Sequence, residues 1–314
     1  MISHQLVSSS KIQAHSKEIT SICFSSDNQL VATTSRDKTI KIWQFKSGKL
    51  SNIITFESNC RANSAAFCQD NKVLVSGEKD NTIKLWSLAT KKLIHTLSAH
   101  QKEVNSIAVH PKGKLIASAS DDRTVKLWSL NSGKQVCTLT GHKDNVTAVS
   151  FSPDGNILAS SGDINDKTVK LWFLAENRSI ILKGHSDWFG GVLAIAFSSD
   201  SKFIASGSKD KTIKIWQVDT GKEIMTLEGH SDDITSVAIN ADNTILASGS
   251  KDKTLKLWAF ASGKLISTIN HDAKVRAVAF SPDRQIIATG CNAGKIRLFK
   301  PQLKSFDSLQ QFLN

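Results

Sequence analysis

Six tryptophans recur at a nearly fixed interval and constrain the fold more than any other feature. Trp43, Trp86, Trp128, Trp172, Trp216 and Trp258 lie 43, 42, 44, 44 and 42 residues apart, and Phe299 follows 41 later. A rhythm of this length across almost the whole chain is the mark of one supersecondary unit copied seven times. Six residues before each tryptophan stands an aspartate, as Asp37, Asp80, Asp122, Asp166, Asp210 and Asp252, with Ala293 in the seventh copy. Upstream runs a histidine column, His15, His100, His142, His185, His230 and His271, in which the second copy has Cys60. A hydroxyl column reads Thr33, Ser76, Ser118, Ser160, Ser206, Ser248 and Thr289.

Between these landmarks apolar and polar residues alternate, β-branched residues are frequent and turn formers bound short runs, so each unit reads as four strands. In the fifth unit they fall at Val192 to Phe197, Phe203 to Ser206, Thr212 to Trp216 and Glu223 to Leu227. Ser152-Pro153-Asp154-Gly155 and Thr220-Gly221-Lys222 are tight turns. Such short strands are not stable alone, but seven sheets stacked radially cover one another's faces. The last unit ends after its third strand, Lys295 to Phe299, and Val7 to Ile12 precedes Ala14-His15 just as His95 to Leu97 precedes Ala99-His100. The N-terminal segment therefore supplies the missing strand and removes the open edges. The expected fold is all-β, a seven-bladed β-propeller of four-stranded antiparallel blades over residues 1–300, closed by strand 7–12. Residues 301–314 form a tail in which Leu303, Phe306, Leu309 and Leu313 share one helical face, as in a short amphipathic helix.

Gly229-His230 followed by Ala247-Ser248-Gly249-Ser250-Lys251-Asp252-Lys253-Thr254-Leu255-Lys256-Leu257-Trp258 resembles the signature of the WD-repeat family, and comparable strings recur along essentially the whole chain. The chain departs from the family name because none of the six column tryptophans is followed by Asp; the next residues are Gln44, Ser87, Ser129, Phe173, Gln217 and Ala259. The near-identity of successive units also resembles bacterial WD-repeat proteins, in which such rings are often attached to a larger regulatory polypeptide. The resemblance implies a buried tetrad in which histidine links the aspartate to a hydroxyl that in turn meets the indole N–H. Five units carry the full set: His15, Thr33, Asp37 and Trp43; His100, Ser118, Asp122 and Trp128; His142, Ser160, Asp166 and Trp172; His185, Ser206, Asp210 and Trp216; His230, Ser248, Asp252 and Trp258. The second and seventh units, with Cys60 and Ala293, are expected to be the loosest blades.

Ser, His and Asp are also the parts of a hydrolase triad. An active site is needed once, however, while this trio occurs in five units together with tryptophan, which marks it as structural; no catalytic residue is assigned. Walker, Gly-x-Ser-x-Gly, His-Glu-x-x-His and dinucleotide motifs are absent, and no cofactor is expected. Five scattered cysteines form no metal-ligand spacing and point to a reducing compartment, so no metal is expected and a cytoplasmic location is. The longest apolar run is the six residues Val192 to Phe197, which is too short to span a membrane.

The expected function is non-catalytic binding of other proteins or peptides by a ring that is monomeric by default. A net charge of +12 raises the alternative of nucleic acid or another polyanion. Against it, the basic residues follow the repeat, as in Lys41, Lys84, Lys126, Lys170, Lys214, Lys256 and Arg297, and no aromatics interleave with them. In WD-repeat proteins the loops before the first strand and between the second and third form the top rim, where partners often sit. Two insertions fall there, Gly162-Asp163-Ile164-Asn165 in the fourth unit and Asp187-Trp188-Phe189-Gly190-Gly191 in the fifth. Trp188 is the only tryptophan outside the column, and with Phe189 it either anchors a partner or plugs the channel. A further rim column holds Arg36, Lys79, Asp121, Asn165, Lys209 and Lys251, opposite Glu18, Glu103 and Asp233. If these charges do not neutralise one another, the rim suits an acidic peptide.

Overall fold

The computed structural model describes residues 7–46, 48–176, 178–186, 188 and 190–300. Within them the chain forms 28 strands in seven four-stranded antiparallel sheets. Blade 1 holds β2 (Ile19–Phe24), β3 (Leu30–Ser35), β4 (Thr39–Lys46) and β5 (Lys49–Glu57). Blade 2 holds β6 (Ala62–Phe67), β7 (Val73–Glu78), β8 (Thr82–Ser87) and β9 (Lys92–Ser98). Blade 3 has β10 (Val104–Val109), β11 (Leu115–Ser120), β12 (Val125–Ser129) and β13 (Gln135–Leu139); blade 4 has β14 (Val146–Phe151), β15 (Ile157–Gly162), β16 (Val169–Phe173) and β17 (Arg178–Leu182). Blade 5 has β18 (Val192–Phe197), β19 (Phe203–Ser208), β20 (Ile213–Gln217) and β21 (Glu223–Leu227); blade 6 has β22 (Ile234–Ile239), β23 (Ile245–Ser250), β24 (Thr254–Ala259) and β25 (Leu265–Asn270). Blade 7 joins β26 (Val275–Phe280), β27 (Ile287–Cys291) and β28 (Lys295–Lys300) to β1 (Val7–Gln13).

The ring closes through β1, which pairs antiparallel with β28 from Val7↔Lys300 to Gln13↔Lys295. The turn that follows is held by the N–H groups of Ala14 and His15, both donating to the Gly294 carbonyl at 2.9 Å. The expected amphipathic tail, residues 301–314, lies outside the described residues.

The core lies between blades and not within them. One cluster joins Ile157, Val169, Leu171 and Leu182 of blade 4 to Val192, Ile204 and Trp216 of blade 5, and the seam cluster joins Ala288, Ile296 and Leu298 of blade 7 to Ile19, Val31 and Trp43 of blade 1. Each column tryptophan thus packs against the preceding blade, and Phe299, 1 % exposed, takes that slot in blade 7. Blade spacing leaves little room: a Cβ on Gly207 would come within 2.6 Å of Ile234 of the next blade. Every innermost strand also carries a bulge after its first residue, displacing Thr20, Asn63, Asn105, Thr147, Leu193, Thr235 and Arg276. A bulge re-aims its side chain, and these seven residues ring the mouth of the axial channel.

Candidate interaction surface

Beneath the rim, four of the five full tetrads are closed by hydrogen bonds of similar length. In blade 6, His230 Nδ1 lies 2.7 Å from Asp252, its Nε2 lies 2.8 Å from Ser248 Oγ, and the Trp258 indole N–H donates to the same oxygen at 2.8 Å. Blade 5 repeats this with His185, Asp210, Ser206 and Trp216 at 2.8 Å throughout. His100 with Asp122, Ser118 and Trp128, and His15 with Asp37, Thr33 and Trp43, follow the same plan. In blade 4 His142 meets Ser160, and Trp172 donates to that serine, both at 2.8 Å, but His142 Nδ1 only approaches Asp166 to 3.2 Å without hydrogen-bond alignment.

The donor inventory fixes the direction of the chain. An indole can only donate and an ionised carboxylate can only accept, so Nδ1 carries the proton shared with aspartate; in a neutral ring Nε2 is then bare and accepts the proton of the hydroxyl that the indole meets. This needs a neutral imidazole and an ionised aspartate. Burial lowers the pKa of His15, His100 and His230. Burial alone would raise the aspartates, but at Asp37, Asp122 and Asp252 hydrogen bonds from the following threonine and the histidine's pull outweigh it, leaving them below the usual carboxylate range. The parts of a triad are therefore locked to one another in buried positions, with no cleft in common.

The two incomplete units differ from expectation in an informative way. Blade 2 lacks the histidine, and the residue in register with it is Ser58, not Cys60. The Ser58 N–H donates to the Lys38 carbonyl at 2.8 Å just as the His271 N–H donates to Lys253, because the segment leading to this position is two residues shorter than the spacing to Cys60 implies, and Glu78 fills the space. Ser76 donates to Glu78 at 2.7 Å, Ser58 donates to it at 3.0 Å, Cys60 Sγ lies 3.5 Å away, and Trp86 still donates to Ser76 at 2.9 Å. Lys84 Nζ completes the cluster, 2.9 Å from Ser58, 3.4 Å from Asp80 and 4.0 Å from Glu78. The signal was present in the sequence: the Glu78 position holds Ser35, Ser120, Gly162, Ser208, Ser250 or Cys291 elsewhere, and only the unit without histidine has a glutamate there.

In blade 7 the absent aspartate and tryptophan go together. His271 Nδ1–H donates to the Ile269 carbonyl at 3.3 Å and Nε2 lies 2.9 Å from Thr289 Oγ1, while Phe299 asks nothing of that hydroxyl. Burial, reinforced by nearby Arg297, lowers the pKa of His271 to about 4. A histidine held neutral in the fold contributes stability that is full above its unfolded value, about 6.5, and is lost as pH falls toward the folded value. His271→Gln is thus expected to flatten the fall in stability between pH 6.5 and about 4 relative to the parent, as read by denaturant melts at several pH values. Parallel curves would show that this imidazole is not what titrates.

On the rim, the cations singled out from the sequence all face carboxylates. Glu18 takes Arg36 at 3.1 Å and Arg276 at 2.6 Å, and Glu103 takes Arg61 at 2.6 Å and Lys79 at 3.8 Å. Lys251 meets Asp233 at 2.6 Å and Lys209 meets Asp163 at 2.5 Å. Every cation of this column thus meets a carboxylate, Glu18 and Glu103 each serving two, so the column does not offer a free cationic ring to an acidic peptide. Asn165 contacts Asp144 through its backbone and side-chain N–H groups. Asp121 is held by Asn105 at 2.6 Å, and burial together with repulsion from Glu103 and Asp163 raises its pKa.

The mouth itself is a polar cavity of about 300 Å³. Around it the bulge residues tie each blade to the next: Thr20 donates to the Ala62 carbonyl at 2.7 Å, Asn63 to Val104 at 2.9 Å, Asn105 to Val146 at 3.0 Å, Thr147 to Val192 and Thr235 to Val275 at 2.6 Å. Arg276 closes the belt across the seam through Glu18. At Leu193, which has no donor, the belt is interrupted.

Trp188 lies 83 % exposed and is not part of the lining of the mouth; Asp187 and Phe189 lie outside the described residues. Its loop is anchored where a Cβ on Gly191 would come within 2.4 Å of Asp163 Oδ1, and where the Lys209 N–H donates to the Gly191 carbonyl at 2.9 Å. The insertions of blades 4 and 5 therefore touch. Among the described residues no group of three or more His, Cys, Asp or Glu is arranged to hold a metal.

Seven four-stranded blades in a closed ring, four of them with a fully bonded tetrad buried beneath a polar rim, define a WD-repeat β-propeller. The family model described as the second β-propeller domain of WDR3 matches residues 18–304, and the chain belongs to that family. Among curated relatives, a probable E3 ubiquitin ligase complex SCF subunit sconB from Arthroderma otae is 46% identical over 50 residues, 16% of this chain and 7% of that protein. Nuclear distribution protein PAC1 from Gibberella zeae is 41% identical over 73 residues, 23% of this chain and 15% of that protein. An uncharacterized WD repeat-containing protein from Nostoc sp. is 40% identical over 47 residues, 15% of this chain and 3% of that protein. The matched segments span a small part of each relative.

Proposed function

We propose that the chain is a non-catalytic protein-interaction platform whose partner seats on the top rim with Trp188 as its anchor. The observation that carries this reading is an indole left 83 % exposed on a loop fastened to a rigid ring. Large aromatic side chains on preorganised surfaces dominate binding energy at protein interfaces. The family is generally one of scaffolds, and one relative is named as a subunit of a ligase complex. The Lys209–Asp163 pair beside the Gly191 end of this loop gives such a contact a polar border. Five free cysteines fit a reducing compartment such as the cytoplasm.

Affinity capture from cell extract, comparing the parent with Trp188→Ala, tests the reading. Capture of a specific partner is expected to fall by about thirtyfold, the scale of a roughly 2 kcal/mol anchor, with the melting temperature unchanged within about 2 °C. Equal capture by both proteins refutes the anchor. A nucleic-acid partner on this rim would instead show binding that collapses steeply with salt and is indifferent to Trp188.

A further inference from the structure

The net charge of +12 is not shared evenly between the two faces of the ring. On top, cations meet carboxylates. The underside, formed by the turns joining first to second and third to fourth strands, divides in two. Blades 1–3 project Lys46, Lys49, Lys72, Lys112, Lys114 and Lys134 from these turns, all exposed. Asp27 and Asp70 are the carboxylates on the same turns, and each accepts a backbone N–H of its own turn at 3.0 Å. Among the described residues none of these six lysines enters an ion pair. The matching turns of blades 4–6 set Asp154, Glu176, Asp200, Asp219 and Asp242 against Lys202, Lys222 and Lys264, so their balance is acidic where that of blades 1–3 is basic.

Blade 3 shows how the reversal is built. The other six turns between first and second strands hold an aspartate, and this one holds Lys112. His110 replaces the missing carboxylate: its Nδ1 accepts the Lys112 N–H at 3.0 Å and its Nε2 lies 3.1 Å from the Gly155 carbonyl of blade 4. The turn stays closed without bringing in a negative charge.

A second feature adjoins this surface. β9 is the outer edge of blade 2, and Lys92, Leu93, Ile94, His95 and Thr96 are exposed in succession, with Lys91 in the turn just before them. No other outer strand with described side chains is exposed over five consecutive residues. Leu93 and Ile94 are 45 % and 43 % exposed, and Val136 on the neighbouring β13 is 57 % exposed.

We propose that an acidic polypeptide segment docks here in extended form, adding a strand to β9 and laying its carboxylates over the lysines of blades 1–3. The free N–H and C=O groups of an edge strand are satisfied by another main chain, and alternate side chains then supply specificity. A bilayer offers no partners for those groups. A nucleic acid would use the lysines but leave the edge and the aliphatic side chains idle, and no aromatic residue stands among the lysines for a base to stack on. This surface is on the opposite face from Trp188 and does not rest on the reading of the rim.

The test uses a fluorescein-labelled peptide of alternating Glu and Val, about twelve residues long, enough to span a strand of ordinary length, with the full chain. Anisotropy is expected to show saturable binding. Lys112→Glu with Lys134→Glu should weaken it on the order of tenfold or more, with an unchanged far-UV spectrum and melting temperature, and Trp188→Ala should leave it as it was. Hydrogen exchange should show β9 amides slowed by the peptide. Three results overturn the proposal: no binding of the peptide, binding without protection of β9, or equal or tighter binding of a single-stranded DNA of matched charge or of phosphatidylserine vesicles.

Discussion

Deleting residues 1–13 is expected to lower stability by about 5 kcal/mol, counting the lost ladder between β1 and β28 at roughly 1 kcal/mol per hydrogen bond. For a chain of this size that is a fall of ~10 °C in Tm. The deletion removes the partner of Lys295–Lys300 and bares an edge whose inward residues Ile296, Leu298 and Phe299 belong to the inter-blade core. An unpaired, apolar edge also templates association. Calorimetry and size-exclusion chromatography should show both the lower transition and soluble oligomers, and a synthetic peptide of residues 1–13 added in trans should reverse part of each. A truncated ring that melts within about 2 °C of the parent would mean that closure contributes little.

The second large effect is expected at Lys84. Its ammonium is buried between Ser58, Asp80 and Glu78. Lys84→Met leaves the Glu78 carboxylate without a cation, and stranding one member of a buried charge pair costs about 3–5 kcal/mol. Burial already raises the Glu78 pKa above its ordinary value against the pull of Ser76 and Lys84. A carboxyl whose folded pKa is raised binds its proton more tightly in the native state, so it destabilises as pH climbs from the unfolded value through the folded one. The deficit of Lys84→Met should therefore be largest near neutral pH and shrink on acidification, opposite in sign to the effect of His271. Melts at pH 5 and pH 7.5 decide it; a deficit equal at both would show that the lost methylene packing, not the charge, is responsible. Combining Lys84→Met with Ser58→His and Glu78→Ser removes the stranded carboxylate and supplies the histidine and serine found in blade 6, where Lys256 holds the Lys84 position, and should recover most of the loss.

The architecture was legible because it repeats. Spacing alone separates seven copies of one unit from any other reading of the same strands, and the position of Val7 to Ile12 relative to His15 predicts the closing strand that β1 supplies. Strand ends were less exact: β19 runs on to Ser208 where the pattern stopped at Ser206, because the extra pair Val192↔Ser208 lies across the bulge. The site was harder to read, since what matters there is a departure from the repeat answered elsewhere in three dimensions. Glu78 answers Ser58 across 20 residues, and Arg276 answers Glu18 across the seam. The sequence placed Glu18, Glu103 and Asp233 opposite the rim cations and left their pairing open; what it did not show is that Arg61 and Arg276 also reach Glu103 and Glu18, and that Asp163 takes Lys209 from the neighbouring blade. The asymmetry of the underside was likewise hidden until the turns of separate blades could be assigned to one face.

The interrupted belt at Leu193 has a mechanical meaning. The bulge-residue bond that ties the other neighbouring blades at the mouth is absent between blades 5 and 6, where the joint is held instead by the close approach of Gly207 to Ile234 and by the Ser199 N–H donating to Asn243 at 2.8 Å. Load across that joint is therefore carried by apolar interlocking and by a tie on the underside, in place of a polar clasp at the mouth.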